Sequence, residues 1–436
     1  MNTDASPARR WTLPLPPRPS RRWPLLKSPN FRLFALGQTA SNTGTWMQKV
    51  AQDWLALELS HGDGTVLGIT TALQFLPLLV LGPYGGVLVD RYSRRRTLMA
   101  TQAVMGAVAL APAALVVTGT VSLGALYVLA LTFGLTMVVE KPALQAFIAE
   151  SVAPGQLVSA LAFNSAVLNL ARMAGPALAG PLIVVCGPAP AFVANALSYL
   201  AVIVCLLRMN PRSLNPGPPT TRAAGQVRAG LRYVSDRPDL ARTLVLVAVV
   251  AAFGMNFQIT TALMATHVYR APAAAFGLGN AALAAGSVLG SLLAVRYQRP
   301  SGGHMAAAAT VFGVLEVASS LMPGHLAFLL MLIPTGTALL VFLTAAKARL
   351  QLGVSDDIRG RVMSLYMLAS LGTTPLVAPC IGWLAHAAGP RAALVLGGAV
   401  SAAAAVTISV LHRRPPAHTG SRPAVTTPAP APAPAR

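Results

Sequence analysis

Apolar runs of about 18 or more residues, each long enough to span a bilayer, recur along the whole chain with short polar breaks between them. They fall at about 33–57, 66–88, 97–119, 122–140, 158–185, 190–207, 241–265, 273–295, 305–322, 325–346, 361–385 and 390–411. Inside lipid every backbone N–H and C=O must find its partner within its own segment, so each run predicts a helix. The longest polar interruption, residues 208–240, divides the runs six and six. It opens as "RMNPRSLNPGPPTTR", a linker composition, and continues as "AAGQVRAGLRYVSDRPDL", which predicts an amphipathic surface helix. The pattern predicts an all-α membrane protein of twelve transmembrane helices in two six-helix bundles. The expected parts are a basic tail (1–30), a first bundle (31–207), the linker (208–240), a second bundle (241–411) and a disordered Pro/Ala tail (412–436).

The halves echo one another. "GGVLVDRYSR" (Gly85–Arg94) aligns with "GSLLAVRYQR" (Gly290–Arg299) 205 residues later, and "SPNFRLF" (Ser28–Phe34) with "RPDLART" (Arg237–Thr243) 209 residues later. Two weak echoes at similar offsets, with an even division of spans, predict a pseudo-symmetric duplication. In membranes that points to a transporter with its site between the halves.

Composition agrees. With 54% hydrophobic residues, 10% charged residues and a mean hydropathy of +0.61, the chain is too apolar for a soluble globule. Its net charge of +21 is a topology signal. With both ends in the cytoplasm, 29 of the 33 Lys and Arg fall in cytoplasmic segments, as the positive-inside rule requires. A nucleic-acid partner would need a basic face on a soluble fold, which this pattern lacks. The tail predicts a segment near anionic lipid; its "SRRWPLLK" only faintly resembles a twin-arginine export signal. The three cysteines lack metal-ligand spacing, and no Walker loop or cofactor motif occurs, so an ion gradient is the expected energy source.

Charges inside the spans are costly and mark the candidate site. Thr45, Gln48, Lys49, Gln52 and Asp53 follow helical spacing and predict one polar stripe on the first span. Gln48, Lys49 and Gln52 are substrate-cavity candidates. Asp53 is either a proton carrier or half of a structural ion pair with Lys49, one turn away. Arg172, mid-span, must find a partner, for which Asp53 is one candidate. Glu316, the one acid within the spans of the second half, either binds a proton or hydrogen-bonds a neighbour. Asp53, Arg172 and Glu316 are thus the proton-coupling candidates. Asn164, Asn169, Asn256 and Gln258 are further cavity candidates, and Glu140–Lys141 is expected to form a local pair.

The loop after the second span concentrates charge: Asp90 and four arginines lie within "GGVLVDRYSRRRTL". Asp90 at the membrane face needs a cation or a helix N-terminus, while Arg94–Arg96 also serve as plain topology anchors. The stretch resembles the loop motif of the major facilitator superfamily, with Gly86, Asp90, Arg91, Arg94 and Arg95 matching and Ser93 standing where glycine is usual. The resemblance implies a conformational latch that docks on the second half near Arg359 and Arg361 in "SDDIRGRV". "FRLFALGQTASNTGTWMQKVAQDWL", "NLARMAGPALAGPLI" and "IRGRVMSLYMLASLGTTPL" are similar to the branch that holds the enterobactin exporter and the macrolide-efflux transporters. Gly175, Pro176 and Gly180 resemble part of the antiporter motif of facilitator exporters, without its earlier glycines.

The reading is a secondary transporter of the bacterial inner membrane, with both termini cytoplasmic and a monomeric assembly. It would export a hydrophobic or amphipathic small molecule (drug, siderophore or secondary metabolite) against protons by alternating access, with no cofactor or metal. An importer or uniporter is the alternative within transport. Outside it stand a membrane-embedded enzyme, against which the scattered histidines speak, and a transport-dead sensor.

Overall fold

The structure, a computed structural model, describes residues 24–214, 226–294 and 300–413. The basic tail up to residue 23, linker residues 215–225, the last five residues of the 290–299 echo and the Pro/Ala tail from 414 lie outside the described residues. The first half holds α1 (Pro29–Leu59), α2 (Gly64–Arg91), α3 (Arg94–Val117), α4 (Leu123–Ser151), α5 (Leu157–Cys186) and α6 (Ala189–Arg208). After the linker come α7 (Gln226–Ser235), α8 (Pro238–Val249), α9 (Phe257–Leu263), α10 (Ala273–Ala294), α11 (Gly302–Ser320) and α12 (His325–Leu352). α13 (Asp356–Leu371), α14 (Thr374–Ala387) and α15 (Pro390–Arg413) complete the order. No strand occurs among the described residues.

Among the described residues, ten segments are long and apolar enough to cross a bilayer; 238–268 and 358–387 each count as one. The expected spans at 33–57 and 305–322 form α1 and α11 but are not among the ten. α1 carries the polar stripe, and α11 carries His304, Glu316, Ser319 and Ser320 within its 19 residues. The fourth span runs 11 residues past its expected end at 140, because Ala143, Leu144, Phe147 and Ile148 continue the buried face beyond Pro142. α7 forms as expected from the linker but packs on α13, Gly230 against Arg361, with Val234 sharing a core with Leu350, Val362 and Leu365.

The echoes have a structural meaning. α1 and α8 both begin on a proline, after Ser28 and Arg237 respectively, where proline's missing N–H costs nothing. Gly85 on α2 lies against the Val138 carbonyl of α4, and Gly290 on α10 lies against the Thr337 carbonyl of α12. Each removes the side chain that would hold two helices apart. The helix pairs α2–α4 and α10–α12 thus repeat one packing.

The two halves meet unevenly. At the face away from the helix starts of α1 and α8, one core joins them: Val50, Leu55, Leu67 and Ile183 pack with Ile259, Leu263, Phe276 and Ile381. There Gly64 on α2 approaches the Gly382 carbonyl of α14 (2.7 Å from where a Cβ would stand), and Gly180 on α5 approaches Ala274 of α10. At the near face, which carries the starts of α1 and α8, each half has a core of its own. One is built from Phe31, Phe34, Leu144 and Phe147, the other from Val234, Leu240, Leu350 and Val362.

Candidate functional site

At about 100° per residue, the predicted stripe on α1 is wide enough to hold two rows, and the structure separates them. Thr45 and Gln48 face α6: the Thr45 hydroxyl lies 3.0 Å from the Tyr199 hydroxyl, and the Asn195 amide donates to Gln48 Oε1 at 2.6 Å. Gln52 is buried on the same row. Gln48 belongs to a buried, hydrogen-bonded seam that Gly44 lets close, because a side chain at 44 would strike Asn195 and Ser198.

Lys49 and Asp53 occupy the other row, facing α2 and α5, and neither expected ion pair forms. The Lys49 ammonium rests over the Phe75 ring, 4.9 Å from its centroid, and 5.7 Å from that of Trp46. The Arg172 guanidinium lies 5.2 Å from the Trp46 centroid. No ion pair joins Asp53 to Lys49 or Arg172, and Asp53 Oδ2 is buried without a hydrogen-bond partner. Trp46 is thus shared by two cations, in contacts worth about 2 kcal/mol or more when desolvated. The site holds two cations and one carboxyl with no direct bond between them.

α5 is built to hold this arrangement. Gly175 sits directly against Trp46, with the Thr43 carbonyl 3.0 Å from where its Cβ would stand, so the ring stays beneath Arg172. One turn on, Gly180 packs on Ala274 while the Pro176 carbonyl abuts Gly277 of α10. The Gly-Pro-Gly stretch therefore grips α1 in its own half and α10 in the other. Toward the near face, Ser165, Asn169 and Arg172 share one side of α5 by their spacing, exposed at Ser165 and half-buried at the other two. Asn164 lies beside this track with its Oδ1 buried and unpartnered.

The second-half candidates do not join the cluster. The segment 238–268 is not one regular helix: a π turn at Val250–Gly254 leads to a break at Met255–Asn256 before α9. Asn256 is 5% exposed, and its amide donates to the Ala252 carbonyl at 2.7 Å, covering a group that the break leaves open. Gln258 is half-buried on α9. Glu316 is buried inside the second half, against the break and α15.

At the near-face loop, the side chains of Gly86 and Asp90 lie outside the described residues. Two of the arginines that the latch would use are engaged within the first half. Arg94 pairs with Glu150 at the end of α4, and Arg95 donates to the Leu206 and Leu207 carbonyls at 2.8 and 3.0 Å, closing the end of α6. Arg91 is exposed; Arg359 donates to the Gln351 carbonyl, and Arg361 packs on Gly230 of α7. Ser93 stands at φ −58, so the turn does not require glycine. Glu140 and Lys141 pair at 3.3 Å, as expected.

Sequence reasoning missed Trp46, Phe75, Asn195 and Glu150. Trp46 had a signal, since it lies one turn before Lys49; the other three act across 26 to 147 residues of chain.

The profile of the transmembrane secretion effector family matches residues 20–433. The staphyloferrin A transporter of Staphylococcus aureus is 22% identical over 253 residues, which cover 57% of this chain and 63% of that protein. Multidrug resistance protein 1 of Bacillus subtilis is 24% identical over 210 residues, 48% of this chain and 51% of that protein. The match thus spans about half to two-thirds of these relatives. Among solved structures, a bacterial homologue of the human lysosomal transporter Spinster superposes with a TM-score of 0.68 at 16% identity, covering 91% of this chain and all of that one. A bacterial homologue of the iron transporter ferroportin gives 0.67 at 16% identity, covering 89% of this chain and all of that one.

Proposed function

The chain belongs to the transmembrane secretion effector family of the major facilitator superfamily, and on that premise we propose that it is a proton-coupled exporter of hydrophobic or amphipathic small molecules. It is a multi-pass membrane transporter, not an enzyme. Relatives named for staphyloferrin A and for multidrug resistance support the efflux reading. The proposed frame is twelve spans in two pseudo-symmetric six-helix bundles, with the near face, where the arginines gather, in the cytoplasm of a bacterial cell. The shared far-face core and separate near-face cores correspond to a cytoplasm-open state. Asp90, Arg91, Arg94, Arg95, Arg359 and Arg361 would trade partners when the near face closes.

The observation that carries this reading is Lys49 resting on aromatic rings one turn from an unpaired Asp53 carboxyl. A substrate with a flat apolar face competes with Lys49 for Trp46 and Phe75. Displaced, the ammonium has one nearby place to go, the Asp53 carboxyl, and an ion pair there expels the proton that Asp53 carries. Substrate and proton then exclude one another, which is the requirement for antiport. Arg172 holds Trp46 in place from the other side and keeps the emptied site electropositive.

The test uses inverted vesicles with an imposed pH gradient, and staphyloferrin A and a rhodamine dye as probes. Uptake of either that collapses with a protonophore and survives ATP removal is expected. Uptake that survives collapse of both the pH gradient and the membrane potential would make the protein a facilitator.

A further inference from the structure

Glu316 is a second buried acid that the exchange at Asp53 does not use. It is 3% exposed, and its Oε2 has no hydrogen-bond partner. Its surroundings are specific. At Gly254, in the π turn, the place where a Cβ would stand is 3.1 Å from Glu316 Oε2, 2.7 Å from Ser401 Oγ and 2.7 Å from the Phe312 ring. At Gly397 on α15, the corresponding place is 2.8 Å from Glu316 Oε1 and 2.6 Å from the Phe253 carbonyl. Ser401 is fully buried and its Oγ is also unpartnered.

Two features define what such a carboxyl can bind. The first is crowding: the carboxyl lies where side chains at Gly254 and Gly397 would stand, so it fits only because both positions are glycine, and Phe312 and Ser401 close on the same place. The second is polarity. Glu316 Oε1 and the Phe253 carbonyl, both acceptors, converge on the same glycine, so an ionised carboxylate there would face a like dipole, and the Ser401 hydroxyl makes no hydrogen bond to it. A neutral carboxyl reverses this, because its O–H offers a donor toward the Phe253 carbonyl. No charge opposes or assists it locally. α11 packs against α12, α15 and the π turn, and the groups facing the carboxyl are Ser401, Phe312, the Phe253 carbonyl, Gly254 and Gly397. The titratable residues on those elements sit toward the helix ends: His304 on α11, His325, Lys347 and Arg349 on α12, and Arg391, His412 and Arg413 on α15.

We infer that Glu316 is a resident proton-binding site that clamps the break in the segment 238–268. The bound proton joins α11 to the carbonyl side of the π turn. Release of the proton would put a carboxylate against that turn and favour its opening to water. This site lies in the second half, apart from Asp53, and does not depend on proton-coupled export.

The test uses the full chain in lipid nanodiscs. Infrared spectra at neutral pH should show a buried protonated carboxyl band that Glu316→Gln removes and Asp53→Asn leaves. Hydrogen exchange at 250–256, corrected for the intrinsic pH dependence, should speed up about tenfold per pH unit if opening releases one proton. In Glu316→Gln that slope should be flat, while exchange in α3 stays unchanged in both proteins and reports the intact fold. A band absent from the wild type or surviving Glu316→Gln would overturn the site. An equal pH slope in wild type and Glu316→Gln would overturn the clamp.

Discussion

Two segments hold matching places in the two halves. α1 (Pro29–Leu59) and the segment 238–268 begin on echoed sequences and on the same helix-starting proline. The first is an unbroken helix of 31 residues that carries Lys49 and Asp53. The second is interrupted at residues 250–256 and carries no charge near its break. Two segments that begin alike thus carry two different devices. Rigidity belongs where charges must be held against rings, since a buried charge tolerates little misplacement. A π turn and a break belong where a helix must bend, because they open backbone groups that a small rearrangement can re-pair. The seam to α6 supports the first device, and Asn256 patching the Ala252 carbonyl supports the second.

The largest expected effect falls on the rigid helix. Trp46→Ala removes the half-buried ring shared by Lys49 and Arg172 and should cost about 2–4 kcal/mol, seen as a marked loss of folded protein in the membrane. Survival at normal abundance would show that the cations do not depend on the ring. Breaking the Arg94–Glu150 pair should cost about 1–3 kcal/mol, since both side chains are mostly buried (14% and 11% exposed). In a double-mutant cycle the losses should fail to add; additive losses would remove the pair from the near-face account. On the hinged segment, Asn256→Ala should cost about 1–2 kcal/mol and act locally, with hydrogen exchange rising at 250–256 and not in α1. Uniform loosening of both segments would erase the contrast between them.

The smallest effect lies where the halves meet at the far face. Asp63 accepts from the Thr65 N–H at 2.7 Å, capping α2, and lies 3.6 Å from His386 on α14. Partial burial pushes its carboxyl up, but the Thr65 hydroxyl and N–H and the His386 charge outweigh this and hold it below the usual carboxylate range. The stability it contributes is therefore complete above the unfolded pKa of about 3.9 and fades as pH falls through the lower folded value. Asp63→Ala should cost about 1 kcal/mol and Asp63→Asn only a few tenths, because asparagine also caps. An equal loss in both would point to the His386 pair rather than the cap.

Much of this contrast was legible in the chain. The apolar runs placed the helices, and the charges within them marked Lys49, Asp53, Arg172 and Glu316. Three things were not legible, each for a physical reason. The polar stripe of α1 gave no sign of its two rows, since only packing against Asn195 and Tyr199 decides which residues face α6. The break at Met255–Asn256 sits in an unbroken apolar run, where Gly254 reads as an ordinary span residue and Asn256 as a cavity candidate. The arginine loop suggested docking across the halves, but Glu150 and the carbonyls ending α6 offer partners within the first half that no local pattern encodes.

The central claim is that Asp53 gives up its proton when substrate takes Lys49's place on the rings. The most direct measurement is substrate-driven proton release from purified protein in nanodiscs, using staphyloferrin A and a rhodamine dye, for wild type, Asp53→Asn and Lys49→Gln. The account predicts release by wild type with at least one probe, and none from either variant although Asp53→Asn still binds it. Undiminished release from Asp53→Asn would contradict it.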